Sequence, residues 1–172
     1  MTAAIDTTND AVFAALRAFL LGVLPAGVEV IQTQDNRVPL PIQGPGFVTM
    51  NNVHQRRLAT NVTQYADKTK GISAATEYQI QLDLYGDAAG EWAQIVQTLL
   101  RDEYATEAFP PGIQPLHADD PIQLPLINAE HQFEQRWKLQ VFIQYDPIVT
   151  VASSSATMLQ IGLKEIDKTF HP

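Results

Sequence analysis

Between Glu77 and Leu84 the apolar residues Tyr78, Ile80, Leu82 and Leu84 alternate with Glu77, Gln79, Gln81 and Asp83. That period of two marks a strand with one dry and one wet face. Gly86 breaks the strand, and Asp87 stands where an N-cap is needed. Trp92, Ile95, Val96, Leu99 and Leu100 then recur at helical spacing, which predicts a helix ending near Ala105 that folds back over the dry face. A second clear strand is predicted over Glu134–Tyr145, with Trp137, Leu139, Val141, Ile143 and Tyr145 on one side. Arg136 and Lys138 on its other side match the acids of the first strand. The two strands are therefore expected to be antiparallel neighbours, each opposed charge pair contributing roughly 0.2–1 kcal/mol.

The remaining segments are read from the same periodicities. Val12, Phe13, Leu16, Phe19, Leu20, Val23 and Leu24 predict a helix from about Asn9 to Leu24. Thr8 or Asn9 would cap it, and Pro25 and Gly27 would stop it. Val28–Gln32 reads as a short strand, and Gln34–Gly46, with three prolines and two glycines, as an extended loop. Phe47–Leu58 resumes a strand pattern that Asn51, Asn52 and His54 interrupt, as a bulge or an edge position would. The polar stretch Ala59–Ala74 is expected to be an extended hairpin or a loop. Five prolines within Phe109–Pro125 argue against regular structure there. After Pro147 and a serine run, Met158–Ile166 alternates again as a last strand. The expected fold is α+β: one domain over residues 1–172, an antiparallel or mixed sheet of four or five strands, two helices on one face, and long proline-rich loops.

Composition narrows the function without naming one. The charged share of 17% is below the usual ~25%, and Gln and Asn fill the gap. Such a surface suits contact with other subunits, where charge is depleted, and it equally suits a monomer. A net charge of −8 argues against binding nucleic acid through phosphate contacts, though not against a surface past which DNA slides. With no cysteine, disulfides and thiolate metal sites are excluded. The N-terminus has neither a basic leader nor an uninterrupted apolar span, so a cytoplasmic protein is expected.

Catalytic chemistry has little to stand on. The four histidines, His54, His117, His131 and His171, are far apart. His117, Asp119 and Asp120 are close enough in sequence to hold a hard cation, and Asp120 before Pro121 is equally a turn former. Asp102 and Glu103 are expected at a helix C-terminus, where acids are slightly unfavourable. Arg56 and Arg57 are adjacent on a strand and should point to opposite faces, which tells against a joint anion site. There is no GxSxG elbow and no phosphate-binding glycine loop. No enzyme, metal or cofactor constellation emerges.

Three blocks carry a resemblance: LRAFLLGVLPAGVEVIQTQDNRVPLP, YQIQLDLYGDAAGEWAQIVQTLLRDEYA and GIQPLHADDPIQLPLINAEHQFEQRW. In order and character they resemble the neck or tail terminator proteins of tailed bacteriophages. The resemblance implies a ring, commonly six-fold, on the head-proximal end of the tail tube. Such a ring stops tube polymerisation, meets the head connector and lets DNA pass through its lumen. It implies as partners further copies of the chain, the tail tube protein and the connector, with no membrane and no cofactor, in a virion assembled in the bacterial cytoplasm. Candidate subunit or tail contacts are Arg37, Arg56, Arg57, Asp119 and Asp120; candidate lumen residues are Asp102, Glu103 and Glu107. The competing expectations are a head–tail adaptor of other symmetry and a metal-dependent enzyme built on His117, Asp119 and Asp120.

Overall fold

A computed structural model of the protein describes residues 3–33, 45–127 and 133–153. Arg37 and most of its loop, His131, His171 and the expected strand Met158–Ile166 lie outside the described residues. The first helix, α1 (Asn9–Val23), starts at Thr8, whose hydroxyl accepts the Ala11 amide, and it buries Val12, Phe13, Leu16, Phe19 and Leu20. This is the stripe the sequence marks. A short strand β1 (Ala4–Ile5) precedes it.

The strands expected within the described residues are present, and the main sheet has six strands rather than four or five. Its order is β2 (Glu29–Gln32), β3 (Phe47–Arg57), β6 (Thr76–Tyr85), β9 (Phe133–Tyr145), β7 (Ile113–Ala118), with β8 (Ile122–Ile127) also on β9. Only β2 and β3 run parallel. β6 and β9 are antiparallel neighbours, as their complementary charges require. β3 has its bulge at Asn52–His54, where the sequence pattern falters. The bulge shifts side-chain parity, so Arg56 opposes Glu77 on the same face of the sheet as Thr49, which opposes Asp83.

The segment Phe109–Pro125 is a correction: it contains β7 and β8 rather than loop alone. Both strands pair only with β9, side by side along the same edge. A proline is tolerated on an edge because the ladder bond it cannot make is one the sheet does not need. Pro115 also adjoins a register shift.

The second helix, α2 (Ala89–Leu100), differs from expectation in three ways. Its N-cap is Ala88 and Asp87 gives no side-chain cap; the Ala89 amide is satisfied instead by the Gly86 carbonyl in the preceding turn. Ile95 is 40% exposed, whereas Gln97 is buried with its amide on Asp120 at 2.7 Å, so the dry stripe is rotated. The helix also ends at Arg101, and Asp102 caps a separate α3 (Glu103–Ala108) by accepting the Tyr104 amide. These acids open a helix, where the dipole favours them, rather than closing one.

α1 and α2 cover one face of the main sheet, and Tyr78, Ile80, Leu82, Leu84, Leu139, Val141 and Ile143 form the middle of a single core beneath them. Pro45 and Gly46 close over the β6–α2 turn. Gly46 has φ +137° and Gly86 φ +127°, and a Cβ on Gly46 would overlap the Tyr85 carbonyl and the Trp92 ring. Glycine is required there by both backbone and space.

A second sheet has the order β1, β10 (Ile148–Ala152), β5 (Thr69–Ser73), β4 (Val62–Tyr65). It continues the chain beyond the ends of β3, β6 and β9, and it is here called the arm. The segment Ala59–Ala74 is thus an extended hairpin, one of the two forms the sequence allows. β10 is an element the sequence pattern did not separate from its Pro and Ser surroundings.

Candidate functional site

The helix-free face of the main sheet is built from alternate residues of its central strands. Across it the side chains hydrogen-bond to one another. Gln79 donates to Gln140 and Gln140 to Gln81, each at 3.2 Å; Gln81 donates to Asp83 at 2.8 Å. Asp83 is 2% exposed, and Arg136 donates to its Oδ1 through Nε at 3.1 Å and Nη2 at 2.9 Å. Lys138 sits directly opposite Asp83 in register, yet the ion pair goes to Arg136, one pleat further along. Glu77 lies opposite Gln144 and takes Arg56 instead, at 3.0 Å. Two stacks frame the network: Phe47 on Tyr85 at 4.6 Å and His117 on Phe142 at 4.4 Å between centroids. The result is a flat, amide-rich surface whose one deeply buried acid is neutralised. It can present shape and hydrogen bonds, and it holds no nucleophile or base poised over a cavity.

The residues singled out in the sequence do not form one site. Arg56 and Arg57 point to opposite faces as expected, and Arg57 donates to the Ala59 carbonyl and the Asn61 amide oxygen. His117 stacks on the helix-free face, while Asp120 reaches back to Gln97 and Arg101 of α2. The sequence cluster is thereby split across the sheet. Among the described residues, no three His, Asp or Glu side chains are grouped to hold a metal. Asp119 is exposed, and its amide donates to the Gln140 carbonyl at 2.9 Å. Asp102, Glu103 and Glu107 all lie exposed on α3 or its cap. A groove of about 360 Å³ between α1 and β2 is lined by Phe13, Val30, Met50 and the ionisable pair Asp10 and Arg17. Arg17 is occupied in donating to the Val30 carbonyl.

The arm joins the hairpin within Ala59–Ala74, which the sequence marks, to β1 and β10, which the sequence reading missed. No strand residue in it is buried. Register places Ile5, Val149, Ile72 and Thr63 on one face, with Val151, Lys70 and Tyr65 on the same side and Val62 and Ile148 on the other; Ile5 and Tyr65 are 52% and 76% exposed. The signal was present in the alternation Val149, Val151 and in the apolar Val62 and Tyr65 of an otherwise polar hairpin. Asp6 fastens β1 to β10 by accepting the Ile148 amide at 2.7 Å, and this hydrogen bond pulls its carboxyl below the usual carboxylate pKa. Tyr78 and Tyr145, by contrast, have phenol pKa values raised by burial in the core.

Among the described residues no helix is long and apolar enough to cross a membrane. No curated protein matches the chain in sequence. The family model for the phage neck terminator protein matches it over residues 10–169, a span that takes in the main sheet, the described helices and every strand of the arm except β1. The chain therefore belongs to the phage neck terminator proteins, a structural family of the virion neck, where head and tail are joined.

Proposed function

We infer that the chain assembles with further copies of itself into a ring, six-fold in the form the family suggests, on the head-proximal end of the tail tube. Occupying that end leaves no surface on which another tube ring can add, and the opposite side of the ring receives the head connector. DNA passes through the lumen. The observation that carries this reading is the arm, a four-stranded sheet with an apolar face and no buried residue, on a chain of the neck terminator family. Apolar side chains left exposed on a sheet face are the kind of surface that another subunit covers.

The acids of α3, Asp102, Glu103 and Glu107, are the residues proposed to face the DNA path. Negative side chains there repel phosphates and keep the duplex mobile. Arg37, Arg56, Arg57, Asp119 and Asp120 are the proposed subunit or tail contacts. Of these, Arg56, Arg57 and Asp120 already hold side-chain partners within the chain, so the exposed Asp119 is the freest of the described set. Assembly in the bacterial cytoplasm follows from the same role.

Infected cells lacking the protein should contain tails of uncontrolled length, or normal tails that fail to join heads. Tails of normal length attached to heads, seen by electron microscopy in its absence, would overturn the reading.

A further inference from the structure

We propose that the arm sheets of adjacent copies join edge to edge, the β4 strand of one copy pairing antiparallel with the β1 strand of the next. The proposal rests on the ring reading above and adds which strands make the contact. Three independent features of the arm agree on it.

The first is polarity. β1 is antiparallel to β10, β10 to β5, and β5 to β4, so β1 and β4 run in opposite directions at the two edges. Placing β4 of one copy beside β1 of the next therefore continues the alternation without a fault. Such a contact is head-to-tail, the kind that closes rings.

The second is the direction of the backbone groups. The Ala66 amide donates to the Thr69 carbonyl at 2.8 Å and closes the hairpin. In an antiparallel ladder such pairs alternate with pairs whose groups turn away. Gln64 and Val62 thus bond inward to β5, and Thr63 and Tyr65 present their N–H and C=O outward. At the other edge the Asp6 amide donates to the Ile148 carbonyl at 3.2 Å, so Ile5 is the outward residue of β1. Nothing among the described residues pairs with either edge.

The third is the side-chain face. Ile5 opposes Val149, Val149 opposes Ile72, and Ile72 opposes Thr63; Tyr65 lies on that same face. Residues directly opposite in a ladder share a face. Ile5 of one copy set opposite Thr63 or Tyr65 of the next thus keeps the apolar row on one side of a continuous sheet. Exposed edges are blunted by shortness, charge or proline. Both edges here are short, and their outward positions Ile5, Thr63 and Tyr65 carry neither charge nor proline.

The absence of cysteine from the chain makes the test direct. Full-length I5C/T63C and I5C/Y65C are oxidised at concentrations where light scattering shows assembly, and the products are separated without reductant. The proposal expects a ladder of covalent oligomers from at least one of these pairs. It expects none from I5C/Q64C, because Gln64 turns inward and lies on the other face. Thr63→Pro removes an outward amide that the hairpin does not use. It should leave the circular dichroism spectrum unchanged and raise the concentration for assembly at least tenfold. Rings that form without a ladder from either pair, or that form normally from T63P, overturn the edge contact and leave the ring standing. A chain that stays monomeric at every concentration and gives no ladder overturns both.

Discussion

The main sheet and the arm are made from the same runs of chain, and they end in opposite conditions. β3 leads into β4, β5 into β6 and β9 into β10, so three strands of the covered sheet continue into three of the bare one. In the first, Ile80 and Leu82 are fully buried beneath two helices. In the second, Ile72 is partly exposed, and Val62 and Tyr65 are more than half exposed. Hydrophobic strands are thus common to both, and the difference is whether the described residues supply a second layer. Where they do, the sheet is scaffold; where they do not, its apolar residues stand exposed.

The largest effect should come from a matched pair of substitutions. Ile80→Ala removes a fully buried side chain and should cost about 3–4 kcal/mol, a drop of roughly 10 °C in melting temperature for a chain of this size. Ile72→Ala, on the same strand type one sheet away, should cost less than about 1 kcal/mol in the unassembled chain while weakening assembly. Thermal melts of the two variants measure this. Equal losses would show that the arm is a second core, and the contrast would fail.

The next effect concerns the polar face. Asp83→Ala leaves Arg136 without its carboxylate and removes the acceptor for Gln81 and Asn51. The expected cost is about 3 kcal/mol, the low end for a broken buried pair because Arg136 keeps part of its side chain in water. Urea unfolding of the variant should show it. A change below about 1 kcal/mol would mean that the amide network is surface decoration and not part of the scaffold.

How much of this was legible in the sequence follows from the same contrast. β6, β9 and α1 were readable because each alternates or repeats against one dry layer, and Asp83 beside Arg136 and Lys138 announced their pairing. The bulge at Asn52–His54 was readable as a fault in period. β7 and β8 were not, because proline at an edge strand costs little, and the sequence does not say where the edge is. α2 was misjudged at Ile95 and Gln97 because Asp120, remote in the chain, makes the burial of an amide favourable. β1 and β10 were overlooked because they are short, and partly exposed apolar residues such as Val149 look like loop residues when none of the described residues forms a layer over them. The family came from the character of whole blocks; the one chemical cluster within them, His117, Asp119 and Asp120, is split by the sheet and did not contribute.

The smallest effect is on β1. Asp6 binds the Ile148 amide as a carboxylate, and its pKa is lowered in the folded chain. Its contribution is fully present above the ordinary carboxyl pKa of about 3.9 and fades as pH falls through the lowered value. The protection of the Ile148 amide, its exchange relative to an unstructured amide at the same pH, should therefore fall on acidification below about pH 4, with the protection of the β6 and β9 amides unchanged over the same range. Asp6→Asn should weaken this protection at neutral pH and remove its pH dependence. An unchanged Ile148 amide in that variant would detach Asp6 from the arm's integrity.

The division of labour between the sheets is tested most directly by hydrogen–deuterium exchange on the full-length chain, compared between dilute monomer and assembled ring. The expected result is new protection in residues 62–73 and 148–152 on assembly, with the strands of the main sheet already protected in the monomer and little changed. Protection that instead appears across the helices or the main sheet, with the arm exchanging as fast in the ring as in the monomer, would contradict it.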